Sequence, residues 1–120
     1  MKDTDIITIY NNSFGIAFKW KKTKHLDKIQ LVFDRTGLYL NYKELVVFSK
    51  QITAALKRPS VCLSCKASNN CRSILLETPA EQITFAMSYK ELNEMYELVQ
   101  GTIFQLGLDR ILQKNTITKQ

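Results

Sequence analysis

The residues with most chemistry in them form a basic, aromatic run. Phe18-Lys19-Trp20-Lys21-Lys22-Thr23-Lys24-His25 sets lysines among rings and a histidine, and Lys28 follows closely. Single-stranded nucleic acid asks for this mixture: cations for the phosphates and flat rings on which bases stack. Lys19, Lys21, Lys22, Lys24 and Lys28 are the candidate phosphate contacts. Trp20 is a candidate ring, joined by Tyr39, which points away from the inner Leu38 and Leu40. The alternation Phe14, Ile16, Phe18, Trp20 against Gly15, Ala17, Lys19, Lys21 puts the aromatics on the core side and the lysines outside. On that assignment the plainer reading is an edge strand guarded by lysines against aggregation.

A cysteine cluster comes next. Cys62-Leu63-Ser64-Cys65 followed by Cys71 has, in its first pair, the spacing with which two thiolates clamp a tetrahedral zinc ion. A fourth ligand is required, and His25 is the only histidine. Reduced structural thiols, or a redox-labile Cys62/Cys65 pair, are the alternatives. Glu91, Glu94 and Glu97 recur every three residues and read as solvated charges at the start of a helix. Four glycines form no phosphate loop, and no His-Glu metal motif is present. These signals argue against an enzyme, and zinc is the only cofactor they suggest.

The elements that must position these residues are marked by a repeated joint. Asn41-Tyr42-Lys43-Glu44-Leu45 is echoed 47 residues later by Ser88-Tyr89-Lys90-Glu91-Leu92. Asn41 and Ser88 are N-cap types, and Glu44 and Glu91 stand three residues on, where a carboxylate reaches back to the cap N–H. Leu40 with Leu45, and Met87 with Leu92, occupy the staple positions. Beyond each joint the apolar register agrees: Leu45, Phe48, Ile52 and Ala55 match Leu92, Met95, Val99 and Thr102 on one helix face. The agreement predicts an internal duplication, with pseudo-repeats over 5–58 and 59–113 of a single domain spanning 1–120. Two unrelated strand-to-helix junctions sharing a common cap are the alternative.

Ahead of the first joint, Asp5–Tyr10 and Phe14–Trp20 read as one hairpin, turned at Asn11-Asn12. Lys28–Phe33 and Leu38–Leu40 form a second, turned at Asp34-Arg35-Thr36-Gly37, with Gly37 supplying the left-handed residue. A helix from Tyr42 to about Lys57 follows, ended by Pro59. The second unit is shorter: a strand over Ser60–Ser64, a loop over Cys65–Cys71, strands over Arg72–Thr78 and Gln82–Met87 with Ile83, Phe85 and Met87 inward, then a helix from Tyr89 to about Leu106. Gly107 is placed as its C-cap, with Leu108, Ile111 and Leu112 folding back as a further turn. Aligning Ile29 with Ile74 brings His25 level with Asn70, inside the cysteine loop.

Strand hairpins followed by helices predict an α+β fold, an antiparallel sheet with two helices on one face. The element order resembles the duplicated sheet-and-helix units of the PUR-repeat, Whirly and PC4-like proteins. That resemblance implies binding of single-stranded nucleic acid; the shortened second unit departs from its four-strand pattern. The paired layout is also similar to that of small bacterial proteins without assigned activity, a likeness that implies a fold alone.

Composition sets the outer bounds. A chain of 120 residues, 45% hydrophobic and 23% charged, suits one globular domain. The net charge of +6 is concentrated: residues 1–72 hold 13 Lys/Arg and 5 Asp/Glu, residues 73–120 hold 4 and 6. The first part therefore offers a surface for an anionic partner. No apolar run reaches the ~18 residues of a membrane span, and the opening Met1-Lys2-Asp3-Thr4-Asp5 has no signal core. Three cysteines do not suggest a disulfide framework. A cytoplasmic protein is expected, without a membrane partner. Nucleic acid is the partner the charge suggests. A protein-interaction or structural module, or a homodimer through exposed sheet edges, is the alternative.

Overall fold

The computed structural model describes residues 5–21, 28–58 and 71–118, with side chains described to residue 112. Its elements are β1 (Ile6–Asn11), β2 (Gly15–Trp20), β3 (Lys28–Phe33), β4 (Thr36–Asn41), α1 (Tyr42–Leu56), β5 (Ile74–Glu77), β6 (Thr84–Met87) and α2 (Tyr89–Thr118). Strands β1 to β4 form an antiparallel meander in sequence order, and β5 pairs with β6 as a separate antiparallel pair. Both helices pack side by side on one face of the four-stranded sheet, and β5 and β6 close against the same helices. The fold is α+β, as the element order predicts. The strand expected at Ser60–Ser64 lies outside the described residues.

Both joints sit in the first turn of a helix. At α1, Asn41 Oδ1 accepts from the Glu44 N–H at 2.8 Å, and the Asn41 N–H donates to Glu44 Oε1 at 2.9 Å. At α2, Ser88 Oγ accepts from the Glu91 N–H at 3.1 Å, and the Ser88 N–H donates to Glu91 Oε1 at 2.9 Å. Each box satisfies two backbone groups that a helix end otherwise leaves to water, and losing one costs about 1 kcal/mol. The stripes behind them are buried throughout: Leu45, Phe48, Ile52 and Ala55 on α1, and Leu92, Met95, Val99 and Thr102 on α2. The strands ahead of the two caps differ, four in one sheet before α1 and a single pair before α2 among the described residues.

The sheet faces come out differently from the alternation. Ala17 pairs with Leu31 and Gly15 with Phe33, so the small residues of β2 share the helix-facing side with Ile29, Leu31 and Phe33. Ile16, Phe18 and Trp20 occupy the opposite side. The packing around Gly15 agrees with this assignment. A Cβ on Gly15 would lie 2.5 Å from the Val32 carbonyl oxygen of the neighbouring strand and 3.1 Å from Leu98 Cδ2 of α2, so no larger side chain fits there. Phe14, just before the strand, stacks on Phe33 at 5.5 Å.

The same crowding shapes β1. Its pairing with β2 shifts register between Thr8 and Tyr10, a bulge that directs Tyr10 toward α2. A Cβ on Gly101 would fall 2.3 Å from the Tyr10 ring, so the missing side chain makes the room the ring fills. The Tyr10 hydroxyl donates to Glu97 Oε2. That bond, with burial and the negative charge of Glu97, holds the phenol above its ordinary pKa. Asn12 completes the attachment. Its Oδ1 accepts from the Phe14 and Gly15 N–H groups and closes the turn, while its Nδ2 donates to Glu97 Oε1 at 2.7 Å and to the Glu94 carbonyl at 3.1 Å. Ser13 Oγ adds a bond to Glu94 Oε2 at 3.2 Å. Glu94 and Glu97, expected as solvated charges, therefore bolt α2 to the β1–β2 turn.

Further corrections concern the turns and the second half. The β3–β4 hairpin turns on Asp34 (φ 44°) and Arg35 (φ 62°), both left-handed, the two-residue geometry that matches strand twist. Gly37 lies inside β4 instead. Helix α2 passes through Gly107 without a break and leaves Leu108, Ile111 and Leu112 at 38%, 56% and 56% exposure, so these residues do not fold back. No described glycine has positive φ, so the C-cap geometry expected at Gly107 is absent. Ile83 precedes β6 and is 41% exposed rather than inward.

Two predictions follow from this packing. Gly101→Ala is expected to lower stability by about 1–3 kcal/mol through overpacking against Tyr10, although alanine is the better helix former. Gly107→Ala, with nothing within 4 Å of the added carbon, raises stability by up to about 1 kcal/mol. Urea unfolding followed by helical circular dichroism checks both, and equal shifts would refute the close-approach account. The second concerns Glu91, whose carboxylate also receives Arg72 Nη2 at 2.6 Å. Burial alone would raise its pKa, but the bonds from Arg72 and Ser88 outweigh it and hold the carboxyl below its ordinary value. Its stabilisation is therefore complete at neutral pH and drains away as pH falls through the folded-state value, which lies below that of a free glutamate. Glu91→Gln should cost about 1 kcal/mol at pH 7, since Arg72 is largely exposed and water screens the pair. The difference from the parent should shrink in unfolding curves taken at successively lower pH.

Candidate nucleic-acid interface

The sheet face turned away from the helices is assembled by strand register. Thr8 stands opposite Phe18, Phe18 opposite Gln30, and Gln30 opposite Tyr39, forming one row across all four strands. Trp20 and Lys28 flank that row on the same side. Phe18 is only 6% exposed, yet it stands outside the core cluster shared by the helices and the inner sheet face. Its ring meets Trp20 edge-on at 5.1 Å between centroids.

Polar groups fix the upper layer. Trp20 Nε1 donates to Gln30 Oε1 at 3.3 Å, and Gln30 Nε2 donates to the Leu38 carbonyl at 3.3 Å. The neighbouring strand makes room for the Gln30 amide with Gly37, where a Cβ would come 3.0 Å from Gln30 Nε2. Lys28 Nζ sits 5.2 Å from the centre of the Tyr39 ring, a cation–π distance. The result is two half-buried rings, Trp20 and Tyr39, on either side of a bridging amide, with one ammonium group at the edge.

The candidate residues thus separate. Trp20, Lys28 and Tyr39 come together. Lys19 is carried to the helix-facing side, opposite Ile7 and in line with Ala17. Lys21 is exposed just past the end of β2, its N–H donating to the Asp5 carbonyl at 3.0 Å. Lys22, Lys24 and His25 belong to the connection between β2 and β3, outside the described residues. Phe18 and Gln30 were not singled out by sequence reasoning. The signal available for them was the pairing of Gln30 with Tyr39, which needs the hairpin register.

Of the expected metal ligands, only Cys71 lies among the described residues. Cys62, Cys65 and His25 lie outside the described residues. Cys71 is disulfide-bonded, its partner also outside them. A sulfur in a disulfide is not a thiolate ligand, and the expectation of reduced thiols does not hold for Cys71. Odd numbers and short spacing do not decide pairing; Cβ positions do. Among the described residues no three His, Cys, Asp or Glu side chains gather as a metal site, and no helix is long and apolar enough to cross a membrane. Comparison with protein-family models, with curated proteins and with solved structures returns no match.

Proposed function

We propose that this protein binds single-stranded nucleic acid, without catalysis, on the helix-free face of its four-stranded sheet. The observation that carries the reading is the convergence of Trp20, Gln30, Tyr39 and Lys28 on one open side. Rings on a sheet present flat surfaces that accept any base, each stacked base contributing about 1–3 kcal/mol. Lys28 supplies a cation at one end of the face, and Lys21, Lys22 and Lys24 are further lysines close to it in the chain. Gln30 offers an amide for base edges. The resemblance of the element order to PUR-repeat, Whirly and PC4-like proteins agrees with this use of a sheet.

A second reading rests on a different observation. Phe104 is 70% exposed and Ile111 56%, both on the side of α2 away from the core. Such a stripe favours a protein-interaction module, with homodimerisation as its simplest form.

Fluorescence anisotropy with a labelled oligodeoxythymidine tests the first reading. Affinity is expected to fall roughly 20-fold between 50 and 200 mM salt, as for about three phosphate contacts on a single strand. Tyr39→Ala should weaken binding at least 5-fold, and Lys28→Ala should flatten the salt slope by about one contact. Salt-independent binding, or a Tyr39→Ala variant with parental affinity, would refute it. A monomer in sedimentation analysis at high concentration would remove the dimer reading.

A further inference from the structure

The packed side of β2 carries a lysine. Lys19 is half-buried beside Ala17 and faces Ile7 across the β1–β2 pair. A cation on the helix-facing side of a sheet is ordinarily matched by a carboxylate, because removing it from water is costly. Among the described residues the ion pairs are Arg58–Glu77, Arg72–Asp34 and Arg72–Glu91, and Lys19 is in none of them.

Lys19 instead lines a cleft of about 380 Å³ between the sheet and the later turns of α2. This volume is within the range that accepts small organic ligands, roughly 300–1,000 Å³. Its floor is apolar, made by Ile7, Ile9, Ile29 and Leu106. A second cation, Arg110, stands on the wall, its guanidinium 5.2 Å from the centre of the Tyr42 ring. That ring braces the guanidinium by its face and leaves the N–H edge to bind an anion. The nearby carboxylate, Asp109, accepts from Gln105 Nε2 at 3.0 Å and pairs with neither cation.

Two cations over an aliphatic floor define a ligand class. We propose that this cleft binds a small amphipathic anion, its carboxylate or phosphate head held by Lys19 and Arg110 and its apolar body laid on Ile7, Ile9, Ile29 and Leu106. The site lies on the opposite side of the sheet from Trp20 and Tyr39 and is independent of nucleic-acid binding.

Isothermal titration calorimetry on the full chain tests it, with decanoate and decyl phosphate as probes below their aggregation concentrations and decanol as the uncharged control. One saturable site is expected for at least one charged probe, with decanol at least 10-fold weaker. Lys19→Gln combined with Arg110→Gln should weaken the charged probe at least 10-fold, and Leu106→Trp, which fills the cleft, should abolish binding. Arg110 is exposed, so Arg110→Gln alone preserves the test if the double variant does not fold; it should weaken binding several-fold. Tyr39→Ala should bind the probe as the parent does. A preference between the two charged probes identifies the headgroup. Absence of saturable binding by both, parity with decanol, or affinity unchanged in the charge variants would overturn the proposal.

Discussion

The structure depends on how closely α2 approaches the sheet. At β2, Gly15 lies where a Cβ would stand 3.1 Å from Leu98 Cδ2; where β1 bulges onto the helix, the absence of a side chain at Gly101 admits the Tyr10 ring. Close contact excludes water and lets Leu98, Val99 and Met95 bury fully against Leu31 and Phe33. With Gly15 and Ala17 on the helix side of β2, Phe18 and Trp20 stand on the other and make that face aromatic.

Polar chemistry then holds the approach in place. The Glu91 carboxylate serves the Ser88 cap and the Arg72 guanidinium together, and Arg72 also reaches Asp34 in the β3–β4 turn at 3.5 Å. Glu94 and Glu97 receive Asn12, Ser13 and Tyr10 from the β1–β2 turn. Both hairpin turns of the large sheet are thereby fastened to one helix. None of these bonds is worth much alone in water, but together they tie α2 to two turns of the sheet. The outer face and the Lys19 cleft lie one on each side of β2.

Much of the architecture was legible from the chain. The Asn41–Glu44 and Ser88–Glu91 caps, the helix starts, the buried stripes behind them and the two hairpins of the first half all appear where short-range patterns place them. The candidate interface was only partly legible. Trp20, Lys28 and Tyr39 were named, but Trp20 was assigned to the core and Lys19 to the exterior. Gln30, which links Trp20 to the Leu38 carbonyl, has no signature outside the strand register. The disulfide of Cys71 escaped because spacing along the chain does not report distance in space.

The sequence by itself determined what local physics controls: which segments alternate, where an N-cap meets its glutamate, and which helix face is apolar throughout. Tertiary structure decided which side of β2 faces inward, the meeting of Lys28 with Tyr39, and the course of α2 through Gly107. The physical reason is that β2 carries apolar residues on both faces, so period-two alternation is satisfied in either orientation. Only the packing around it breaks that tie: Gly15 lies against both the β3 backbone and Leu98 of α2, where a Cβ would come within 2.5 and 3.1 Å of its neighbours.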